Sequence, residues 1–144
     1  MSEVNSVAAA LVASGRFVNR NTFMQPVKAV FDEYEAAALA SGSSITSFTP
    51  PKGARWAGLG QLAWDDMAGA AATVAVGIAG DTDKFLAATD VQSAADKADL
   101  DAGAEAIDAL GYEFDGETPI ILTTGGGNAI TGTLKWVMLF LMNS

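Results

Sequence analysis

Apolar and polar residues alternate along much of this chain with a period of two, the spacing that puts successive side chains on opposite faces of a strand. Val27, Ala29 and Phe31 interleave with Lys28, Val30 and Asp32, which predicts a strand over about residues 27–34. Ile45 to Phe48 predicts a short second strand. From Ala54 to Trp64, one parity holds Ala54, Trp56, Gly58, Gly60, Leu62 and Trp64, and the other holds Arg55, Gln61 and the apolar Ala57, Leu59 and Ala63. Glycines inside such a strand predict a bulge or the close approach of another backbone. Val74, Val76 and Ile78 alternate in the same way, and Pro119 to Thr123 is aliphatic and β-branched. In the last segment, Ala129 to Met142, Thr131, Thr133, Lys135 and Val137 oppose Ile130, Leu134, Trp136, Met138 and Phe140. Beyond Trp136 both faces become apolar, which implies burial on both sides or contact with a partner.

Between these runs lie Ser41-Gly42-Ser43-Ser44, Pro50-Pro51-Lys52-Gly53, Gly80-Asp81-Thr82-Asp83 and Gly125-Gly126-Gly127-Asn128, which predict hairpin-type turns. From Lys84 to Leu110 the chain changes to alanine, aspartate and leucine, which predicts an irregular excursion with a helical option over Ala88 to Asp101, solvated by Asp90, Asp96, Asp99 and Asp101. Residues 1–25 are rich in small side chains, and Val4, Val7, Leu11 and Val12 suit either one helical stripe or an extended arm. The expected fold is mainly β, an antiparallel β-sandwich or jelly-roll-like barrel over residues 26–144 with an N-terminal arm over 1–25.

Composition narrows the chemistry. The 144 residues contain no cysteine and no histidine, so thiol chemistry, disulfides and the commonest general base and metal ligand are all absent. A net charge of −9 opposes nucleic acid and anionic lipid as partners. The longest apolar runs, Trp136 to Met142 and Val7 to Ala13, are far short of a bilayer span, and Glu3 ahead of Val7 to Ala13 fits a secretory leader poorly. The triple glycine lacks the Lys-Ser/Thr ending of a phosphate loop and lies between two predicted strands, so a hairpin is the better reading. Aspartates at Asp81 and Asp83, and at Asp99 and Asp101, open like calcium loops, but Phe85 and Gly103 stand where the next ligand belongs. Asp65 and Asp66 form an acidic pair beside Trp64, and turn chemistry accounts for them. Trp56, Trp64 and Trp136 could stack on sugars, yet all three lie on the apolar parity of their strands, which assigns them to the core.

The order of motifs is similar to that of small tailed-phage virion proteins. Pro51-Lys52-Gly53-Ala54-Arg55 opens a strand, Val76-Gly77-Ile78 precedes Gly80-Asp81 and the step Lys84-Phe85-Leu86, and Gly132-Thr133-Leu134-Lys135 leads into a hydrophobic finish. From about Val27 onward the chain resembles head decoration (cement) proteins and related minor structural proteins. That resemblance implies a β-sandwich or jelly roll on the outer surface of an icosahedral capsid, made in the host cytoplasm. It also implies a homo-oligomer, a dimer or trimer, that bridges major capsid protein subunits. No catalytic, cofactor-binding or metal-binding residue is expected, and the expected interface residues are Val4, Val7, Leu11, Val12, Val137, Leu139 and Leu141. The alternatives are a carbohydrate-binding sandwich module, a tail or connector component and, more remotely, a carboxylate-dependent hydrolase.

Overall fold

The computed structural model describes residues 26–67, 71–92, 94–100 and 106–142. The predicted arm, with Val4, Val7, Leu11 and Val12, lies outside them. Eight strands follow one another: β1 (Val27–Leu39), β2 (Ser44–Thr46), β3 (Arg55–Trp64), β4 (Thr73–Ile78), β5 (Asp81–Asp90), β6 (Asp96–Asp99), β7 (Ile121–Gly125) and β8 (Ile130–Leu141). One helical turn, α1 (Ala106–Ala109), precedes β7.

The strands form two four-stranded antiparallel sheets in the orders β1-β8-β3-β6 and β2-β7-β4-β5. First pairs with last, second with seventh, third with sixth and fourth with fifth, which is the winding of a jelly roll laid out as two open sheets. The expected sandwich is therefore present, and the sheets do not close into a barrel. Every connection except β4–β5 passes from one sheet to the other. The hairpins expected at residues 41–44, 50–53 and 125–128 are accordingly inter-sheet corners, and the hairpin at Gly80 is the one that stands. Local turn chemistry signals a reversal equally well in both cases, because pairing across the reversal is decided by distant strands.

The largest departure from expectation is the segment after Gly80. Asp81–Asp90 is a ten-residue strand paired with β4, and Asp96–Asp99 pairs with β3. Alanine and aspartate are poor strand formers, so the pattern pointed away from β structure. Burial overrides propensity here: Phe85 is fully enclosed, Leu86 and Val91 are buried, and Lys84 is buried with its Nζ 3.7 Å from Asp81 and 4.5 Å from the centre of the Tyr112 ring.

The core lies between the sheets. Trp56, Leu62, Leu134, Trp136, Met138 and Phe140 enter it from one sheet, and Ile45, Val74, Val76, Phe85 and Leu122 from the other. Phe85 is the centre of an aromatic cluster, with its ring 4.9 Å from Trp56, 6.1 Å from Phe114 and 6.5 Å from Tyr112. Phe114 in turn meets Phe140 edge-on at 5.6 Å. The bulge foreseen in β3 lies between Trp56 and Gly60, and a Cβ on Gly60 would stand 2.6 Å from the Val137 carbonyl oxygen. Both readings of that glycine hold.

Candidate functional site: the outer face of the β1-β8-β3-β6 sheet

The even-numbered residues Leu134 to Phe140 of β8 point into the core, so the odd-numbered ones emerge on the opposite face of the same sheet. Register extends that face to its neighbours. Val27 lies opposite Leu141, Ala29 opposite Leu139, Phe31 opposite Val137 and Glu33 opposite Lys135 on the β1 side. On the β3 side Arg55 lies opposite Leu141, Gln61 opposite Val137 and Ala63 opposite Lys135, with the bulge carrying Leu59 between them. The outcome is a graded surface. Its middle is apolar, with Val27, Phe31, Leu59, Val137, Leu139 and Leu141.

Exposure within this middle is high for large hydrophobic side chains. Phe31 is 79% exposed, Leu59 is 59% exposed, and Leu110, whose Cδ1 lies against Gly58, is 62% exposed. Leu59, Leu110, Val137 and Leu139 line a groove of about 660 Å³ whose floor includes Trp56 and Leu100. Large exposed apolar patches are uncommon on soluble proteins and are often contact sites, which makes this face the candidate.

The two ends are charged. Toward the C-terminal half of β1, Glu33, Glu35 and Asp65 border a second groove of about 760 Å³ with Tyr34, Trp64 and Thr133. Lys135 Nζ lies 3.8 Å from Glu33, and the Asp65 carboxylate accepts the Thr133 N–H at 3.1 Å. At the other end Arg55 pairs with Glu113 at 3.4 Å, and beside the apolar groove Gln61 donates to Asp99 at 2.9 Å. Glu33, Asp65 and Asp99 thus have local partners, and the face as a whole is an apolar strip with an acidic flank.

Of the residues expected at an interface, Val137, Leu139 and Leu141 come together on this face, half-buried by their strand neighbours. Phe31, Leu59, Leu110 and Val27 belong to the same surface and were not singled out from the sequence. In the sequence Phe31 shares a parity with Val27 and Ala29 in an alternating strand, which does not by itself say which face is inward. Pairing β1 to β8 turns that parity outward and leaves Val30 half-buried within. The available signal was the run of apolar odd positions in β8, which needed apolar neighbours on the same face.

The three tryptophans are buried, and their indole N–H groups donate inward, Trp56 to the Leu59 carbonyl at 3.3 Å, Trp64 to the Ala94 carbonyl at 2.8 Å and Trp136 to Ser47 Oγ at 3.0 Å. That arrangement removes the tryptophan platform a sugar-stacking module would use.

No family model and no curated protein matches the sequence. Among solved structures, the fold is similar to a chain of the capsid asymmetric unit of cyanophage Pam1, with a TM-score of 0.71 at 20% identity over 99% of each chain. It is similar as well to a chain in the capsid of Ralstonia phage GP4, with a TM-score of 0.65 at 19% identity over 83% of this chain and 86% of that one. A chain of the acid-stable capsid of Helicobacter pylori bacteriophage KHP30 aligns with a TM-score of 0.56 at 13% identity, covering 82% of this chain and 89% of that one.

Proposed function

We propose that this chain is a phage virion structural protein that binds the outer surface of the capsid and holds neighbouring major capsid subunits together, with no catalytic activity of its own. The observation that carries the reading is a shared fold over the whole length of a capsid chain, 99% of each partner, in a molecule that keeps an exposed apolar sheet face. Phe31, Leu59, Val137 and Leu139 supply the apolar centre of the contact, and the acidic flank at Glu33, Glu35 and Asp65 sets its orientation through basic residues of the partner. A net charge of −9 is compatible with an exterior position and opposes a place against packaged DNA.

Quantifying the chain in purified particles tests this reading. A lattice-wide binding protein is present at a copy number on the order of hundreds, set by capsid symmetry. Six or twelve copies would assign it to a tail or connector, and absence from particles would overturn a virion role altogether.

A further inference from the structure

We propose that two copies of this chain associate through the open edge of β1, antiparallel, with Ala29 of each opposite Phe31 of the other and the two-fold axis passing beside Val30. Met142 donates its N–H to the Pro26 carbonyl, and the register with β8 is unbroken from Val27 to Ala36. Even-numbered residues of β1 therefore bond to β8, and the odd-numbered ones turn their N–H and C=O groups to the open side. There the Glu33 N–H is capped at 2.9 Å by the carboxylate of Asp32. Among the described residues, Val27, Ala29 and Phe31 are left with backbone groups aimed at solvent from a long, regular, largely apolar edge.

The other three edges are protected. β2 has three residues, β6 has four that include Asp96, Lys97 and Asp99, and β5 carries Asp81, Asp83 and Asp90 and pairs irregularly with β4. β1 alone combines length, regularity and apolar residues.

The charge order along β1 selects the occupant and its direction. Lys28 is the one cation of the strand, and Asp32, Glu33 and Glu35 all follow it. A parallel copy in register would stack acid on acid. An antiparallel copy in the stated register sets Lys28 opposite Asp32 twice, places Phe31 over the small Ala29 with the new ladder bonds on those two Ala29–Phe31 pairs, and moves each Glu33, its N–H capped, opposite a Val27. The product is one eight-stranded sheet, β6-β3-β8-β1 continuing into β1-β8-β3-β6. Because the axis is perpendicular to the sheet, both apolar outer faces lie on the same side. This association does not depend on the proposed role in a virion, but it would give that role a bivalent docking surface.

Isolated protein is the right material for the test, since capsids are then not involved. Sedimentation equilibrium is expected to show a species of twice 14.7 kDa. Ala29→Pro removes an outward donor without touching the β8 ladder, and is expected to give a monomer with an unchanged far-UV spectrum. Val30→Cys is expected to form a disulfide-linked dimer on mild oxidation. Val30 faces its own copy as a non-hydrogen-bonded pair, with Cα atoms about 4.5 Å apart, within reach of a disulfide. Leu59→Cys, on the outer face, is expected to stay unlinked. A monomeric wild-type chain, a dimer indifferent to Ala29→Pro, or cross-linking at Leu59→Cys as efficient as at Val30→Cys would each overturn the proposal.

Discussion

Phe85 touches three other aromatic rings from a position with no solvent exposure, so removing it opens a cavity that the surrounding rings cannot close. Phe85→Ala is expected to cost about 3–5 kcal/mol in denaturant unfolding, and Phe85→Leu distinctly less. Thr123 makes the opposite case. Its Oγ1 is buried in β7 without a hydrogen-bond partner among the described residues, so Thr123→Val, which keeps the β-branched shape, is expected to raise stability by about 1 kcal/mol. Asp115 anchors the turn that follows it: its carboxylate accepts the N–H of Glu117 at 2.8 Å, and the N–H and hydroxyl of Thr118 at 2.9 and 3.0 Å. Those bonds favour the charged form and hold its pKa below the ordinary 3.8, the Glu117 bond contributing most. The folded value is the depressed one, so this contribution is complete above about pH 4 and fades as pH falls through the folded value. Amide exchange at Glu117 and Thr118 is expected to speed up relative to the core in acid, and Asp115→Asn to abolish that pH dependence.

At the level of elements, the corner between β7 and β8 shows what a local signal can and cannot specify. Gly126 has φ of +85°, and a Cβ there would collide with the Ala71 carbonyl oxygen. Gly126→Ala is expected to lose at least about 2 kcal/mol by thermal or denaturant melting, from backbone strain and overlap together. The Gly125–Asn128 turn is plain in the sequence, but its destination in the other sheet is not, since glycine supplies the same backbone freedom to a hairpin and to a corner. β3, β4 and β8 were legible because Trp56, Val74, Val76, Leu134 and Trp136 alternate with small or polar residues. β5 and β6 were not. Their alanines and aspartates carry no β signal, and they become strands because β4 and β3 offer partners and the core accepts Phe85 and Leu86. Half of the candidate face was likewise readable. Val137, Leu139 and Leu141 betray themselves by making a strand apolar on both sides, whereas Phe31 and Leu59 declare their outward direction only once pairing to β8 fixes their parity.

At the level of the whole molecule, the jelly-roll winding brings the two ends of the sandwich, β1 and β8, side by side in one sheet. A single face therefore collects apolar side chains from residues 27 to 31 and 137 to 141, more than a hundred positions apart in sequence. The opposite face of that sheet is spent on the core. What remains outside is a strip of large hydrophobic groups in a strongly acidic protein.

Re-binding of purified protein to capsids stripped of it probes the docking role proposed for this outer face. Leu59→Glu is the variant of choice, because Leu59 is exposed, lies away from the β1 edge and leaves the core untouched. Wild-type chain is expected to co-sediment to saturation, and Leu59→Glu to bind at least roughly tenfold more weakly with its melting temperature unchanged. Equal binding by the folded variant and the wild type would rule this face out as the docking surface.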